Sequence, residues 1–313
     1  ASVRAEIEKR LKVTASDVVD TISKAAMIPR DMVFRDVAER FKNIRRRLSQ
    51  RVVGQIKAIE AVADCLVLNK GPLKDGFDRP DGILLFLGPT GVGKTELAKA
   101  VAEFMFGDEK RMIRIDMAEY QGSSSVDKFI GMPRGIVGSD RGGILTNQLK
   151  DRPYSVVLLD DVEKASPELL NLFLAAFSEG WITDGRGKRV YLSDAIVIMT
   201  SNIGSRHFRK LTSPMGFRSG QVSMDQIQKE VNQELERTFT PEFRNRIDEV
   251  VIFEPLTKEE VREIALLYIE QTKKAMKQSQ KELTIEPDAL ELVVAKGYNQ
   301  KYGARFLKRF IDR

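Results

Sequence analysis

One eight-residue segment limits the possible folds of this chain more than any other feature. It follows the apolar run Gly82–Leu87, precedes a stretch of helical character over residues 96–106, and reads Gly88-Pro89-Thr90-Gly91-Val92-Gly93-Lys94-Thr95. This is the G-x-x-x-x-G-K-[ST] phosphate loop, set between a strand and a helix as its chemistry requires. The N–H groups of such a loop and the N-terminus of the following helix bind a polyphosphate. The segment therefore predicts a nucleoside triphosphate site.

Four side chains have predicted roles at such a triphosphate. Lys94 is expected to reach the β- and γ-phosphates, and the Thr95 hydroxyl to bind Mg²⁺. A second strand, predicted at residues 155–159, is followed by the carboxylates Asp160 and Asp161. Asp160 is placed to hold the Mg²⁺ shell, and Asp161 to orient and polarise the attacking water.

The pattern around this loop predicts an α/β domain followed by a smaller, mostly helical one. Between Val52 and Phe253, short β-rich runs alternate with helical stretches, which is typical of a parallel sheet covered by helices. The predicted strands are residues 83–87, 112–116, 155–159, 195–200 and 249–253, and the predicted helices are residues 96–106, 143–151, 167–178 and 224–238. We assign residues 51–254 to the α/β domain and residues 255–313 to the helical one.

Both ends of the chain are predicted to be helical. Residues 1–50 are polar, with apolar positions at helical spacing in 15–26 and 35–48, and we expect them to follow a preceding domain. Thr257 and Glu260 have the spacing of a capping box. Pro287 opens a later helix that Gly297 closes, and residues 283–286 are a short strand candidate. We expect this last domain to continue beyond Arg313.

Composition excludes several classes of protein. Hydrophobic residues make up 42% and charged residues 31% of the 313 residues, as in an ordinary soluble protein. The apolar runs are too short to cross a membrane. No charged-then-apolar leader opens the chain, and the lone Cys65 excludes an internal disulfide. We therefore expect a reducing, cytoplasmic environment. We expect Cys65 itself to be a buried structural thiol. A single histidine, His207, disfavours a histidine-based metal site or catalytic triad.

A basic cluster precedes the α/β domain, within a net charge of +6. Its members are Arg40, Lys42, Arg45, Arg46, Arg47 and Arg51. Apart from Phe41, no aromatic residue is interleaved to stack on bases. We therefore interpret the cluster as a solvated helix face, or a face toward an acidic neighbour, and expect no nucleic acid partner.

Five further motifs occur along the chain in a characteristic order. They are Arg51-Val52-Val53-Gly54-Gln55, residues 112–120 (MIRIDMAEY), Met199-Thr200-Ser201-Asn202, residues 239–248 (FTPEFRNRID) and Tyr302-Gly303-Ala304-Arg305. With the phosphate loop, they resemble the second ATPase domain of two-ring members (ClpA, ClpB and ClpC type) of the Clp family of AAA+ unfoldases. The resemblance extends from about Val13 to Arg313. It implies an AAA+ three-layer α/β sandwich with a parallel sheet and a small helical lid domain, which bind ATP and Mg²⁺ at their junction.

The resemblance also implies roles for individual residues. Asn202 would be the polar sensor that positions water near the γ-phosphate, and Arg305 the second sensor, reaching from the lid to the phosphates. Arg246 would be the arginine finger that offsets transition-state charge in the neighbouring subunit's site; otherwise it is a surface arginine. Val52 and Val53 would line the adenine pocket, although core packing explains them equally well. A finger acting between subunits implies a ring, by analogy a homohexamer.

Two positions depart from the family pattern. The water-activating residue is usually Glu, so the shorter Asp161 withdraws its carboxylate by ~1.5 Å, and misplacement on the order of 1 Å can lower a rate ~10²-fold. We expect real but slow ATP hydrolysis. The segment Gly135-Ile136-Val137-Gly138 resembles the mobile pore loop that grips unfolded protein substrates, with Ile136 at the aromatic position and Arg134 where Pro is common. A flexible surface loop is the alternative interpretation.

A tripeptide between the predicted sensor Asn202 and residue 224 resembles the docking element with which ClpA- and ClpC-type unfoldases bind the ClpP peptidase. It is Met215-Gly216-Phe217. An exposed apolar pair on a loop suits a hydrophobic socket, but Phe217 could equally fix the loop to the core.

The whole pattern predicts the ATP-hydrolysing module of a protein unfoldase or disaggregase. Two alternatives stay open. A nucleic-acid AAA+ loader or helicase is disfavoured by the motif at residues 51–55 and the loop at 131–138. A nucleotide-gated scaffold with little hydrolysis is favoured by Asp161 and Ile136.

Overall fold

Five parallel strands form the central sheet of the protein. The computed structural model describes residues 13–26, 30, 33, 41–70, 79–122, 124–136, 139–212, 223–298 and 303–311. The strands of the sheet are β1 (Gly82–Leu87), β2 (Met112–Asp116), β3 (Val156–Asp160), β6 (Ile196–Ser201) and β7 (Glu249–Ile252). Their order across the sheet is β2-β3-β6-β1-β7. All five predicted strands are confirmed, and each predicted boundary lies within one residue of the observed one.

Helices cover both faces of this sheet and form the outer two layers. The helices before the C-terminal region are α1 (Ala15–Ala26), α2 (Ile44–Ser49), α3 (Ile56–Lys70), α4 (Lys94–Phe106), α5 (Ser125–Ile130), α6 (Ile144–Asp151), α7 (Pro167–Glu179), α8 (Ser205–Thr212), α9 (Met224–Thr238) and α10 (Pro241–Arg244). Leu84 and Phe86 of β1 pack with α2, α3 and α4, whereas Ile83 and Leu85 face α6, α7 and α9. Because both faces are covered, β1 and β6 read as continuous buried runs without polar alternation.

Local capping signals set the helix boundaries that the sequence predicts. Ser166 caps α7, since its hydroxyl accepts from the Leu169 N–H at 3.3 Å, and Pro167 is the first helical residue. A capping box between Thr257 and Glu260 opens α11 (Lys258–Gln278), with the Thr257 N–H donating to the Glu260 carboxylate at 2.7 Å. The predicted starts of these two helices are confirmed.

The C-terminal region consists of α11, α12 (Pro287–Gly297) and α13 (Leu307–Ile311). Their buried residues, including Val261, Leu290 and Leu307, belong to the same apolar core as α2–α4. The strand predicted at residues 283–286 is wrong, because this stretch has no strand pairing in the described structure. Its half-buried Ile285 packs on the core instead, so apolar alternation alone did not make a strand.

Several elements of the α/β region were not predicted. Helices α3, α5, α8 and α10 are among them, and so is a hairpin of β4 (Trp181–Thr183) and β5 (Arg189–Tyr191), in which Ile182 lies opposite Val190. The Asp184-Gly185 pair between two short β-rich runs is the signal that predicts such a hairpin.

The N-terminal predictions are only partly open to comparison. The helix predicted at residues 15–26 is confirmed as α1. The helix predicted at residues 35–48 lies partly outside the described residues. In its described part, residues 41–48, the structure has helix α2 from Ile44 onward. Among the helices that the structure describes, none has the length and apolarity needed to cross a membrane.

We expect Phe173→Ala to destabilise the α/β region by about 3–5 kcal/mol, because a large cavity would remain in the core. Phe173 is fully buried, with its ring centroid 5.5 Å from that of Phe129 and 5.6 Å from that of Phe177. Urea denaturation followed by the fluorescence of Trp181, the only tryptophan, measures the change.

Leu292→Ala is the control, since Leu292 is 51% exposed on α12. It should cost less than about 1 kcal/mol. Equal losses in the two variants would contradict the packing assignment of Phe173.

Candidate active site

The phosphate loop runs from the end of β1 into α4, and all three of its glycines occupy positive-φ conformations that other residues avoid. Gly88 has φ +138°, and a Cβ there would lie 2.5 Å from the carbonyl oxygen of Phe253. Gly93, with φ +109°, is the N-cap of α4, and its carbonyl accepts from the Leu97 N–H at 2.8 Å. The loop therefore curls tightly at the positive end of a thirteen-residue helix, where anions bind.

Lys94 points back into this loop and is almost completely buried, at 9% exposure. Its ammonium donates to the carbonyl oxygens of Gly88 at 2.5 Å and Pro89 at 3.0 Å, and to Oδ1 of Asn202 at 3.2 Å. Burial lowers the pKa of Lys94 to about 8, although nearby carboxylates, Asp161 foremost, oppose that shift. A positive charge is thus held at the mouth of the loop by neutral acceptors and nearby acids.

The carboxyl ends of β1, β3 and β6 bring the predicted polar residues to one edge of the sheet. Asp160 accepts from the Thr200 hydroxyl and from Nε of Arg114 at 3.1 Å. The Asn202 side chain lies between the two predicted groups, accepting from Lys94 and donating through Nδ2 to Asp161 at 2.6 Å. Parallel pairing explains this convergence, because strands in register end together.

Asp161 has an unusual backbone conformation for a residue with a side chain, with φ +56° and ψ +51°. Its N–H donates to the Thr200 hydroxyl at 3.2 Å, and its carboxylate accepts from Lys164 Nζ at 2.5 Å. With Asn202 on the other oxygen, both carboxylate oxygens of Asp161 have partners. The carboxylate is therefore well oriented, and its negative charge is partly offset by Lys164.

A third acid, Glu163, was not predicted to belong to this site. One of its oxygens accepts from the Asn202 N–H at 3.2 Å, and the other is buried without a hydrogen-bond partner. Arg114 and Lys164 were also missed. Arg114 lies in the edge strand β2, two residues before its end. Buried and exposed side chains alternate along β2, and this alternation could have placed Arg114 on the same face as Asp116.

Residues 90–95 of the predicted loop and the acids Asp160 and Asp161 line one cleft of about 1250 Å³, together with Val52, Val53, Asn202 and Arg305; Gly88 and Pro89 lie outside its lining. Arg305 is exposed and reaches the cleft from the C-terminal region. The adjoining Ala304 N–H donates to the Gly91 carbonyl at 3.1 Å, so the two regions touch at the phosphate loop. Val52 is buried beside the loop, and its Cγ1 lies 3.6 Å from the position that a Cβ on Gly93 would take.

Arg246 does not line this cleft. It lies in an exposed turn just after α10, with its N–H donating to the Phe243 carbonyl at 3.2 Å. The structure of this chain therefore separates Arg246 from the predicted residues that line the cleft.

The oxygen donors at the cleft fit a magnesium ion that is also bound by phosphate. Among the residues that the structure describes, no group of three or more His, Cys, Asp or Glu side chains could hold a metal alone. Mg²⁺ usually takes one or two protein oxygens and completes its shell with water and substrate phosphates. The Thr95 hydroxyl and the Asp160 carboxylate, which both line the cleft, form a donor set of that kind.

Arg51 binds three glutamates at the side of the cleft. Nε donates to Glu96 at 2.5 Å, Nη1 to Glu103 at 2.5 Å, and Nη2 to Glu109. Burial opposes the charge of Arg51, but these hydrogen bonds outweigh it and raise the pKa above its ordinary value. Since Glu96 and Glu103 lie on α4, the contact fixes the chain before Val52 to the helix that follows the phosphate loop. At least this member of the basic cluster has an acidic neighbour within the protein.

The remaining predicted residues lie away from the cleft or outside the described structure. Gly135 and Ile136 are exposed, with Ile136 at 51%. Val137 and Gly138, and the tripeptide Met215-Gly216-Phe217, lie outside the described residues. Cys65 is buried, and burial raises its pKa to about 12, as expected for an unreactive structural thiol.

Two family models together match most of the chain. The model described as AAA domain (Cdc48 subfamily) matches residues 79–250. The model described as the C-terminal, D2-small domain of ClpB protein matches residues 256–313.

Two curated relatives match almost the whole of this chain. The chain is 42% identical over 302 residues to the chaperone protein ClpB of Bacteroides thetaiotaomicron, which covers 96% of this chain and 35% of that protein. It is 40% identical over 304 residues to ClpB of Oceanobacillus iheyensis, covering 96% and 37%. The chain thus spans about a third of the length of these relatives.

Solved structures of Hsp104 have the same fold. The S. cerevisiae Hsp104–ADP complex matches with a TM-score of 0.83 at 36% identity, over 96% of this chain and 51% of that chain. The closed-state cryo-EM reconstruction of Hsp104 with ATPγS and FITC casein matches with a TM-score of 0.81 at the same identity and coverage.

The buried ammonium of Lys94 should make stability depend on pH. Between its folded pKa of about 8 and its ordinary value of 10.5, the unfolded chain retains a proton that the folded chain has released. Stability contributed by this group therefore rises with pH in that window and is constant below it. Relative to Lys94→Met, the protein without nucleotide should gain on the order of 2–3 kcal/mol between these limits. Urea denaturation of both proteins across the window measures it, and parallel curves would contradict the assignment.

Loss of Arg51 should leave three carboxylates facing one another. We expect Arg51→Met to lower the free energy of unfolding by about 1–3 kcal/mol. Arg45→Met is the matched control, because Arg45 and its partner Asp64 are both more than half exposed, and it should cost less than about 1 kcal/mol. Urea midpoints compare the two, and equal losses would show that the Arg51 cluster contributes no more than a surface ion pair.

Proposed function

Because the chain belongs to the AAA domain family and carries the small C-terminal domain of ClpB-type proteins, we propose that it is the second ATPase module of a Clp-type unfoldase or disaggregase. AAA+ ATPases bind nucleotide, and the relatives of this chain are chaperones by name. Since the chain spans only about a third of those relatives, the activity of the whole protein, its substrates and its partners are part of the proposal.

The convergence of a buried lysine and three polar side chains at one sheet edge carries this proposal. Lys94, Asp160, Asp161 and Asn202 surround the mouth of a glycine loop at a helix N-terminus. Positive charge and N–H groups suit a polyphosphate, and adjacent carboxylates suit a metal and a water molecule. An isolated surface loop with the same sequence would lack that arrangement.

In the proposed site, ATP lies in the cleft with its phosphates against the loop. Lys94 exchanges its contacts with Gly88 and Pro89 for the β- and γ-phosphates, and Val52 and Val53 contact the adenine. Thr95 and Asp160 hold Mg²⁺, which when bound offsets negative charge on the phosphate oxygens. The solved Hsp104 structures with ADP and with ATPγS support nucleotide as the ligand.

Hydrolysis in this proposal depends on Asp161 and Asn202. Asp161 accepts a proton from the attacking water, and Asn202 holds both that carboxylate and the lysine near the γ-phosphate. Lys164 and Asn202 each hold one oxygen of the Asp161 carboxylate, and the short side chain keeps that carboxylate back from the phosphate. Both effects support slow hydrolysis.

Two arginines complete the site in a ring. Arg305 reaches the phosphates from the lid, which its position at the cleft supports. Arg246 acts in the cleft of a neighbouring subunit, which its exposure and its distance from its own cleft support. A homohexamer is the assembly we propose, with sites between subunits.

The substrate in this proposal is an unfolded polypeptide, contacted by the exposed Ile136 in the ring channel. The Hsp104 reconstruction with FITC casein supports a protein substrate. Docking of a ClpP-type peptidase depends on Met215-Gly216-Phe217 alone, since the names of the relatives mention no peptidase. We propose a cytoplasmic protein on the grounds of its single, buried cysteine.

Asp161→Glu should raise kcat for ATP hydrolysis by roughly tenfold or more with little change in KM, because the longer side chain restores the missing ~1.5 Å. Asp161→Asn, which keeps the size but loses the base, should lower kcat by ~10²-fold or more. Steady-state ATPase assays on the full-length protein measure both. If Asp161→Glu hydrolysed ATP no faster than the unaltered protein, this explanation of slow turnover would be contradicted.

Remodelling of an unfolded protein by the full-length protein, dependent on ATP, tests the function itself. We expect a permanently unfolded polypeptide to stimulate the ATPase, and Lys94→Met to abolish both turnover and remodelling. Stimulation by polynucleotide alone would favour the loader or helicase. A single-turnover rate near zero in assembled rings would favour the scaffold.

A further inference from the structure

The turn of the β4–β5 hairpin is fixed against the base of segment 131–143. The Gly185 N–H donates to the Ile130 carbonyl at 3.1 Å, and Nη2 of Arg186 donates to the Ser139 carbonyl at 3.3 Å. Gly185 is packed so closely that a Cβ there would lie 2.2 Å from the carbonyl oxygen of Gly131. The hairpin turn therefore lies directly against the described residues of this segment, 131–136 and 139–143, and we call these residues together with 184–189 the pore face.

Asp184 anchors this surface from below and is itself buried. Burial opposes its charge, but the contact with Lys150 Nζ at 2.5 Å and the N–H groups of Arg186 and Lys188, at 2.9 and 2.8 Å, outweigh it and lower the pKa of Asp184. The carboxylate is thus used internally, to hold the turn to α6. Its side-chain ion-pair partner is Lys150 of α6.

Basic residues dominate what the pore face presents to solvent. Segment 131–143 and the turn with its first strand residue, 184–189, together carry five arginines and lysines against two aspartates, one of them the buried Asp184. The five cations are exposed: Arg134, Arg141, Arg186, Lys188 and Arg189. Exposed Met132 and Ile136, at 39% and 51%, lie among them in the chain. The face combines positive charge with aliphatic side chains. Its described residues include no aromatic ring, although Arg189 lies over the neighbouring Trp181 ring, 4.2 Å from the ring centroid.

We propose that the pore face selects unfolded polypeptide segments rich in Asp and Glu. The inference rests on the proposed function, in which segment 131–143 contacts the substrate. Charge complementarity favours an acidic chain, and Met132 and Ile136 supply sequence-independent apolar contact that a nucleic acid backbone would not use. An aliphatic residue in place of an aromatic ring gives less contact area, so charge contributes a larger share of the binding free energy.

Two unfolded polypeptides test the inference. They have the same length and apolar content and carry fluorescein; one has only Asp and Glu at its charged positions, the other only Lys and Arg. Binding to the full-length protein with ATPγS is followed by fluorescence anisotropy. We expect the acidic chain to bind roughly tenfold tighter at about 50 mM salt, and the preference to shrink severalfold at about 300 mM, because salt screens exposed charges.

A charge variant locates the preference. Arg134→Gln, Arg141→Gln and Lys188→Gln, combined, remove three cations while leaving the backbone hydrogen bonds of the hairpin in place. We expect this triple variant to bind the two polypeptides with affinities within about twofold of each other.

The matched control removes three exposed lysines from the lid, through Lys274→Gln, Lys277→Gln and Lys281→Gln. The net charge changes equally, and the preference should persist. Loss of the preference in this control as well would show a general charge effect and overturn the assignment to the pore face.

The remaining outcomes separate the inference from the function on which it rests. Equal binding of the two polypeptides by the unaltered protein would overturn the inference alone, and this comparison requires no variant to fold. Binding of neither would overturn the proposed function together with it. Tighter binding of a fluorescein-labelled single-stranded RNA, lost in the triple variant, would assign the pore face to nucleic acid and overturn the inference.

Discussion

The parallel pairing of β1 with β6, and of β6 with β3, is the constraint on which the rest of the structure depends. Gly82 lies opposite Ile196, and Val156 lies opposite the same residue, so the three strands run in step and finish at one edge. Hydrogen bonding that fixes this register also fixes where the phosphate loop, Asp160 and Asn202 emerge. A slip of one residue would turn every side chain of a strand to the other face and take these groups apart.

At the centre of the site at that edge lies the ammonium of Lys94, whose positive charge is disfavoured by burial. Lys94 is held by two loop carbonyls and Asn202, and its pKa falls because few water molecules reach it. The carboxylates around it reduce that cost, and Lys164 in turn offsets part of their charge. An anionic phosphate could replace the two neutral carbonyls as the acceptor of the Lys94 hydrogen bonds. The charge of Lys94 thus favours the same class of ligand as the loop geometry.

The pore face, whose residues do not line the cleft, shows the same principle. A buried carboxylate, Asp184, is satisfied by Lys150 and two N–H groups, and so holds a turn whose exposed residues are basic. Internal neutralisation of the acid leaves the outward charge positive. In the functions proposed for them, the cleft encloses a small anion and the pore face contacts a long chain.

The amino-acid sequence by itself determined the local elements and the chemistry of the main site. Apolar runs marked all five strands of the sheet, capping residues marked the starts of α7 and α11, and the spacing of glycines, Lys94 and Thr95 marked the phosphate loop. These signals are local, because periodicity, capping and loop conformation depend on neighbours along the chain.

Only the tertiary structure decided which distant side chains form ion pairs. Arg51 meets Glu109, Arg114 meets Asp160 and Asp184 meets Lys150 through sheet order and helix packing. The strand candidate at 283–286 pairs with no strand in the part of the chain that the structure describes. Such contacts join residues far apart in sequence, so no spacing rule within a single chain could have named them.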